Sequence, residues 1–206
     1  MHSMGWKNGV VGLVVALAAL AGATPASATP AFLPAGAAFP ATSTGEHVFA
    51  INANLKWRCN HVQWSGATAS PAGDTVALSA TYGAAPGAAG AWCRLYVGGV
   101  FSASTVTTSG WSMTVSSYNA LTGASAGTLT MGGGMTITTG GCIVSVVSGS
   151  VLPFTAQNVT PVGLQLVASA SGIHFTSSGC GGFGVPSSGG SFSYAGGADA
   201  TGPYVN

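Results

Sequence analysis

The scarcest commodity in this chain is charge. Lys and Arg together number four and Asp and Glu three in 206 residues, 3% of the whole, where an ordinary globular protein carries about a quarter. A nucleic-acid binder needs many basic side chains to displace phosphate counterions, and this chain cannot supply them. Acid–base hydrolysis needs two carboxylates facing one bond. The three available are Glu46, which precedes a strand, Asp74 in a Gly73-Asp74 turn, and Asp199 in the C-terminal tail, so at most two could converge. A metal centre would have to draw on those carboxylates with His47, His61 and His174. His174, between Ile173 and Phe175, points outward from a strand, and His61 beside Asn60 reads as a turn residue. The expectation is no catalytic residue, no metal and no cofactor.

Three other absences narrow the field. After the N-terminal region there is no second long apolar run, so residues 29–206 are expected to contain no transmembrane segment. There is no C-x2-C pair, which argues against a structural zinc site. No stretch sustains a 3.6-residue apolar period with helix caps.

What is present begins with an export signal. Lys7 is followed by an unbroken apolar run, Val10 to Ala21, of h-region length and too short to cross a bilayer. Pro25 and then Ala26-Ser27-Ala28 supply a helix breaker and a small-x-small cleavage site. Residues 1–28 are therefore read as a signal peptide, 29–44 as an extended Pro/Ala/Thr-rich lead-in, and 45–206 as one domain. The expected location is secreted or extracellular, with attachment to the cell surface left open.

All four cysteines follow the cleavage site: Cys59, Cys93, Cys142 and Cys180. They fit an oxidising compartment. Of three possible pairings, Cys59–Cys93 with Cys142–Cys180 is preferred, because each bridge then staples one half of the chain. Each loop would contribute about 3.8 kcal/mol in the chain-entropy model.

Short runs alternating at period two fill the remainder, among them Val76-x-Leu78-x-Ala80-x-Tyr82, Trp111-x-Met113-x-Val115, Leu129-x-Met131, Met135-x-Ile137, Cys142-x-Val144-x-Val146 and Leu164-x-Leu166-x-Ala168. Gly, Pro, Ser and Asn clusters punctuate them. One-faced alternation predicts an all-β fold, an antiparallel two-sheet β-sandwich stapled by two disulfides. The segments Trp111-Ser-Met-Thr-Val, Gly127-Thr-Leu-Thr-Met, Gly141-Cys-Ile-Val-Ser-Val, Asn158-Val-Thr and Ser191-Phe-Ser-Tyr, with the four cysteines, make the chain resemble a group of small secreted, Thr/Ser-rich actinobacterial proteins. That resemblance implies export and an all-β fold, and no activity.

Several motifs invite a chemical reading that their context withholds. Gly123-Ala-Ser-Ala-Gly127 matches the nucleophile-elbow pattern, but a short strand follows it where that chemistry needs a helix. Gly179-Cys-Gly-Gly-Phe-Gly184 matches a dinucleotide fingerprint, but Val185-Pro186 follows it and Cys180 is expected to be bridged. Asn158-Val159-Thr160 is a glycosylation sequon weakened by Pro161. Thr105-x-Thr107 and Thr136-x-Thr138 resemble ice-binding threonine arrays, which require a repeat of constant length that is missing here; β-branched residues on an exposed strand explain them.

The tryptophan-bearing segments carry the sharpest expectation. If Cys59 and Cys93 point inward, parity sends Lys56 and Arg58 outward on one strand and Trp92, Arg94 and Tyr96 outward on another. Trp64 is placed near this surface, beyond the Asn60-His61 turn. These cations have no acidic residue near them in sequence, and beside aromatics they suit an anionic or sugar ligand. The alternative is an arginine covering a tryptophan as packing. The expected function is a non-catalytic extracellular or cell-envelope-associated β-domain with a structural or interaction role. Next comes a carbohydrate-binding module using the Lys56, Arg58, Trp92, Arg94 and Tyr96 face, and last a secreted hydrolase. Expected partners are a glycan or envelope component, with self-association favoured by near-zero net charge.

Overall fold

A computed structural model describes residues 29–83, 90–159, 163–187 and 190–206. Residues 1–28, read as the signal peptide, lie outside the described residues, as does Thr160 of the sequon. The described residues form sixteen strands: β1 (Phe32–Leu33), β2 (Ala41–Ser43), β3 (His47–Asn52), β4 (Leu55–Cys59), β5 (Val62–Thr68), β6 (Thr75–Tyr82), β7 (Cys93–Val97), β8 (Val100–Thr108), β9 (Trp111–Asn119), β10 (Ala124–Met131), β11 (Met135–Thr139), β12 (Cys142–Val146), β13 (Ser150–Val159), β14 (Gly163–Ser178), β15 (Gly190–Thr201) and β16 (Tyr204–Val205). Among the described residues the remaining regular element is one 3-10 turn, Gly181–Phe183.

The fold is all-β and antiparallel with two disulfides, as the alternation and cysteine spacing predict. The apolar members of every alternating run named above face inward; β10, for instance, buries Ser125, Gly127, Leu129 and Met131 and leaves the residues between them partly exposed. The layers are continuous at their margins. Strands β2 to β15 form one closed hydrogen-bonded ring, so each has a neighbour on both sides. Closure of this kind leaves no unpaired edge in the ring to recruit another chain.

The β14–β15 hairpin crosses this ring and divides it into two circuits of strands. The first half of β14 pairs with β13 and its last residues with β12. In the same way β15 pairs with β2 near its end and with β3 near its start. One circuit runs β14, β13, β10, β9, β6, β5, β2, β15; the other runs β14, β12, β11, β8, β7, β4, β3, β15. Successive hairpins alternate between them, with β3–β4 and β7–β8 in one and β5–β6 and β9–β10 in the other.

This alternation explains the disulfides. Cys59–Cys93 ties β4 to β7 across the excursion of β5–β6, and Cys142–Cys180 ties β12 to the end of β14 across the excursion of β13. The preferred pairing is therefore present. Both bridges belong to the same circuit, each securing neighbours that are separated in sequence by a visit to the other.

Where chain links cross between circuits, backbone meets backbone. A Cβ on Gly132 would come within 2.3 Å of the Gly110 carbonyl oxygen, and one on Gly133 within 2.7 Å of the Ser109 carbonyl oxygen. The circuits meet at an aromatic waist of Phe49, Trp64, Tyr82, Trp111 and Tyr194. Residues 29–44 add β1 and β2 to the structure, and β1 pairs with β16. Phe32, Phe39 and Val205 are fully buried, so the lead-in and the C-terminal segment both contribute to the core.

Candidate functional site

The face on β4, β7 and β8 follows directly from register. Cys59 and Cys93 lie opposite each other and point inward, with Trp57 and Leu95 behind them in the core. Two steps of alternation then set Arg58 opposite Arg94 and Lys56 opposite Tyr96, on the outer side. The next hairpin turns through Gly98 and Gly99 at φ 52° and 97°, a two-residue turn open to glycine pairs. It sets Tyr96 opposite Phe101.

All five residues expected on this face are on it, and each has a defined contact. The Arg94 guanidinium carbon stands 4.7 Å from the centre of the Trp92 ring. The Lys56 ammonium stands 5.5 Å from the centre of the Tyr96 ring. Arg58 departs from expectation: it has an acidic partner, Glu46, to which both Nε (2.7 Å) and a terminal guanidinium nitrogen donate. Among the described residues this is the one ion pair. Lys56 and Arg94 keep only their aromatic partners. Asn60 fixes the entry to β7: its Oδ1 accepts from the Trp92 N–H at 2.7 Å while its Nδ2 donates to the Gly90 carbonyl.

Phe101 belongs to this face and was not singled out in the sequence. It is 50% exposed, and its ring centre lies 5.0 Å from that of Tyr96 at a 58° tilt. The Gly98-Gly99 turn was the available signal, because a two-residue hairpin fixes the 96–101 pairing. Beyond Phe101 the outer face continues in hydroxyls, with Thr105 opposite Thr138 and Thr107 opposite Thr136. Trp64, expected beside the face, is buried at the waist instead. Its strand β5 lies in the other circuit, so a chain neighbour of the face became a core residue.

A buried polar cluster lies at the waist. His47 is fully buried, with Nδ1 at 2.6 Å from the Tyr194 hydroxyl and Nε2 at 3.0 Å from the Gly197 carbonyl. A carbonyl only accepts, so Nε2 carries the proton and Nδ1 accepts from Tyr194. Burial pushes the imidazole pKa down to about 4, against a smaller opposing pull from the Gly197 carbonyl. Burial likewise raises the Tyr82 and Tyr194 phenols. Gly196 makes room for the ring, since a Cβ there would meet His47 Nδ1 at 2.5 Å.

The remaining chemical motifs stay apart. Ser125 of the elbow-like segment points inward on β10, and its hydroxyl lies 3.4 Å from the Ala156 carbonyl oxygen. Cys180 of the glycine-rich loop is bridged and opens a single 3-10 turn. Asn158 uses its side-chain amide to hold the backbone of Val205 at both N–H and C=O. Asp199, expected in a tail, is an exposed residue of β15. Glu46, Asp74 and Asp199 lie at the starts of β3 and β6 and within β15. No group of three or more His, Cys, Asp or Glu able to hold a metal occurs among the described residues. No helix among them is long and apolar enough to cross a membrane.

Compared with known proteins, the chain matches no family model, no curated protein and no solved structure.

Proposed function

We propose that this chain is a non-catalytic, exported β-domain, extracellular or associated with the cell envelope, that acts through its outer β4–β7–β8 face. The observation that carries this reading is the gathering of Lys56, Arg58 and Arg94, all the basic residues outside residues 1–28, onto one face with Trp92, Tyr96 and Phe101. A chain this poor in charge has no general electrostatic need for three cations together. Half-buried Trp92 and Tyr96 with the exposed Phe101, beside cations, suit recognition rather than turnover.

Carbohydrate binding is the form of interaction that the Trp92–Arg94 and Lys56–Tyr96 pairs favour, since a ring face stacks on a pyranose while neighbouring donors hold its hydroxyls. A glycan array probed with the secreted protein tests it. The expected result is binding to a defined glycan class that Tyr96→Ala abolishes with circular dichroism unchanged. Absence of binding to every glycan would leave a structural role. A hydrolytic activity lost on substituting Glu46, Asp74 or a histidine would replace both readings.

A further inference from the structure

We infer that the ligand of this face is an acidic glycan, a polysaccharide bearing carboxylate, sulfate or phosphate, held at two adjoining stations. One station is the tilted Tyr96–Phe101 ring pair beneath Lys56; the other is the Arg94 guanidinium lying over Trp92. The inference rests on the glycan-binding reading of the face and adds the sign of the ligand's charge and the residues that read it.

The surface charges are unevenly placed. The face carries Lys56, Arg58, Arg94 and one acid, Glu46, which Arg58 occupies. Of the other two described acids, Asp74 sits before β6 in the opposite circuit, and Asp199 lies in the part of β15 that pairs with β2 rather than with β3. Two cations therefore stand without an acidic partner on one side of a nearly chargeless molecule. With so few competing charges, an approaching polyanion meets a single attractive region.

Both cations are held against aromatic rings. The Arg94 guanidinium over the Trp92 ring makes no hydrogen bond to the described residues, so its N–H groups are available to meet a carboxylate or sulfate in paired fashion. The Lys56 ammonium above Tyr96 retains its donors in the same way. Covering these groups with a neutral sugar would strip their water and give no counter-charge in return, which disfavours neutral ligands. Arg94 and Tyr96 are two residues apart on one strand face, roughly 7 Å. An acidic group on one sugar and ring stacking of the next can then be satisfied together.

Phe101 is what separates this from a generic cation patch. It is half exposed and pairs with Tyr96 across the β7–β8 ladder. A ligand held by charge alone has no use for it.

The test measures binding of the secreted protein to immobilised polygalacturonate, alginate and chondroitin sulfate, with carboxyl-reduced polygalacturonate and xylan as neutral counterparts. Inorganic phosphate is the small-anion competitor. The inference expects at least one acidic glycan to bind about tenfold more tightly than the neutral ones, with Arg94→Gln removing that difference and Phe101→Ala weakening acidic binding about tenfold. Carboxylated against sulfated binders identify the acidic group, and competition by inorganic phosphate at ordinary concentrations points to a phosphate-bearing chain. Equal binding of neutral and acidic glycans would overturn the inference while leaving the glycan reading intact. Acidic binding indifferent to Phe101→Ala would also overturn it, as simple ion exchange. Binding to none of the glycans would bring down both.

Discussion

Arg58 and Arg94 face each other directly across the β4–β7 ladder, one position from the Cys59–Cys93 bridge. Like charges in cross-strand register normally destabilise a sheet. Here each guanidinium has been given a different partner, Glu46 for Arg58 and the Trp92 ring for Arg94. The carboxylate offsets the charge of Arg58, and the indole face favours that of Arg94, so both cations can share a single face at reduced cost.

Removing the carboxylate should therefore expose the repulsion. Glu46→Gln is expected to lower stability by about 1 kcal/mol, within the range for a partly exposed ion pair whose side chains are 33% and 34% exposed. In an Arg94→Gln background the same change should cost measurably less. Urea denaturation of the four variants in a double-mutant cycle checks this; equal costs in both backgrounds would mean the two arginines do not feel each other.

The neutral, buried His47 makes stability depend on pH. Its folded pKa is lowered to about 4 from an ordinary 6.5, so the unfolded chain binds the proton first. Stability from this residue is full above pH 6.5 and falls as pH drops from 6.5 towards 4. Below about 4 both states are protonated and no further loss comes from it. The total is about 3 kcal/mol. His47→Gln should be less stable at neutral pH and should flatten the denaturation midpoint between pH 4.5 and 6.5. An unchanged slope in that variant would assign the dependence elsewhere.

Gly127 is a site where packing forbids a side chain. A Cβ there would stand 2.1 Å from the Thr114 carbonyl oxygen and within 2.8 Å of the Phe154 ring, at a bulge in the β9–β10 ladder. Gly127→Ala should cost about 3 kcal/mol. Gly141, whose Cβ would meet nothing within 4 Å, should accept alanine nearly without effect, and thermal melts of the two variants give the comparison.

Asn158 is a clamp for the C-terminal segment. Its amide donates to the Val205 carbonyl at 2.7 Å and accepts from the Val205 N–H at 3.0 Å. Asn158→Ala should speed amide hydrogen exchange at Val205 and across the β1–β16 pair while leaving the β4–β7 ladder protected.

Much of this was legible in the residues. Period-two alternation in Val76 to Tyr82, Trp111 to Val115 and Cys142 to Val146 fixed which side chains are buried, because a strand can offer only alternate positions to a core. The same parity, counted from Cys59 and Cys93, placed Lys56, Arg58, Trp92, Arg94 and Tyr96 on one outer surface. Phe101 was within reach of the same method through the Gly98-Gly99 turn, whose two residues set its partner.

Other features depended on contacts no local pattern encodes. Glu46 reaches Arg58 only because β3 and β4 pair, and the bulge between Ala50 and Asn52 shifts the parity by which that contact could have been counted. Trp64 is close in sequence to the outer face, yet the alternation of hairpins between circuits carries β5 away and puts its ring against His47. His47 itself reads as an ordinary polar residue until Tyr194 and Gly197, some 150 positions away, close around it. Sequence by itself determined the strands, their inward faces and the placement of Lys56, Arg58, Arg94 and Tyr96 on one outer surface, all of which are set by parity along a short stretch of chain; for the cysteines it favoured the pairing that is present among three. Tertiary structure alone decided the closure of the ring, the two circuits sharing β14–β15, and the partners of Arg58 and His47. These depend on pairing between distant strands, whose order is fixed by the fit of the whole core rather than by any one segment.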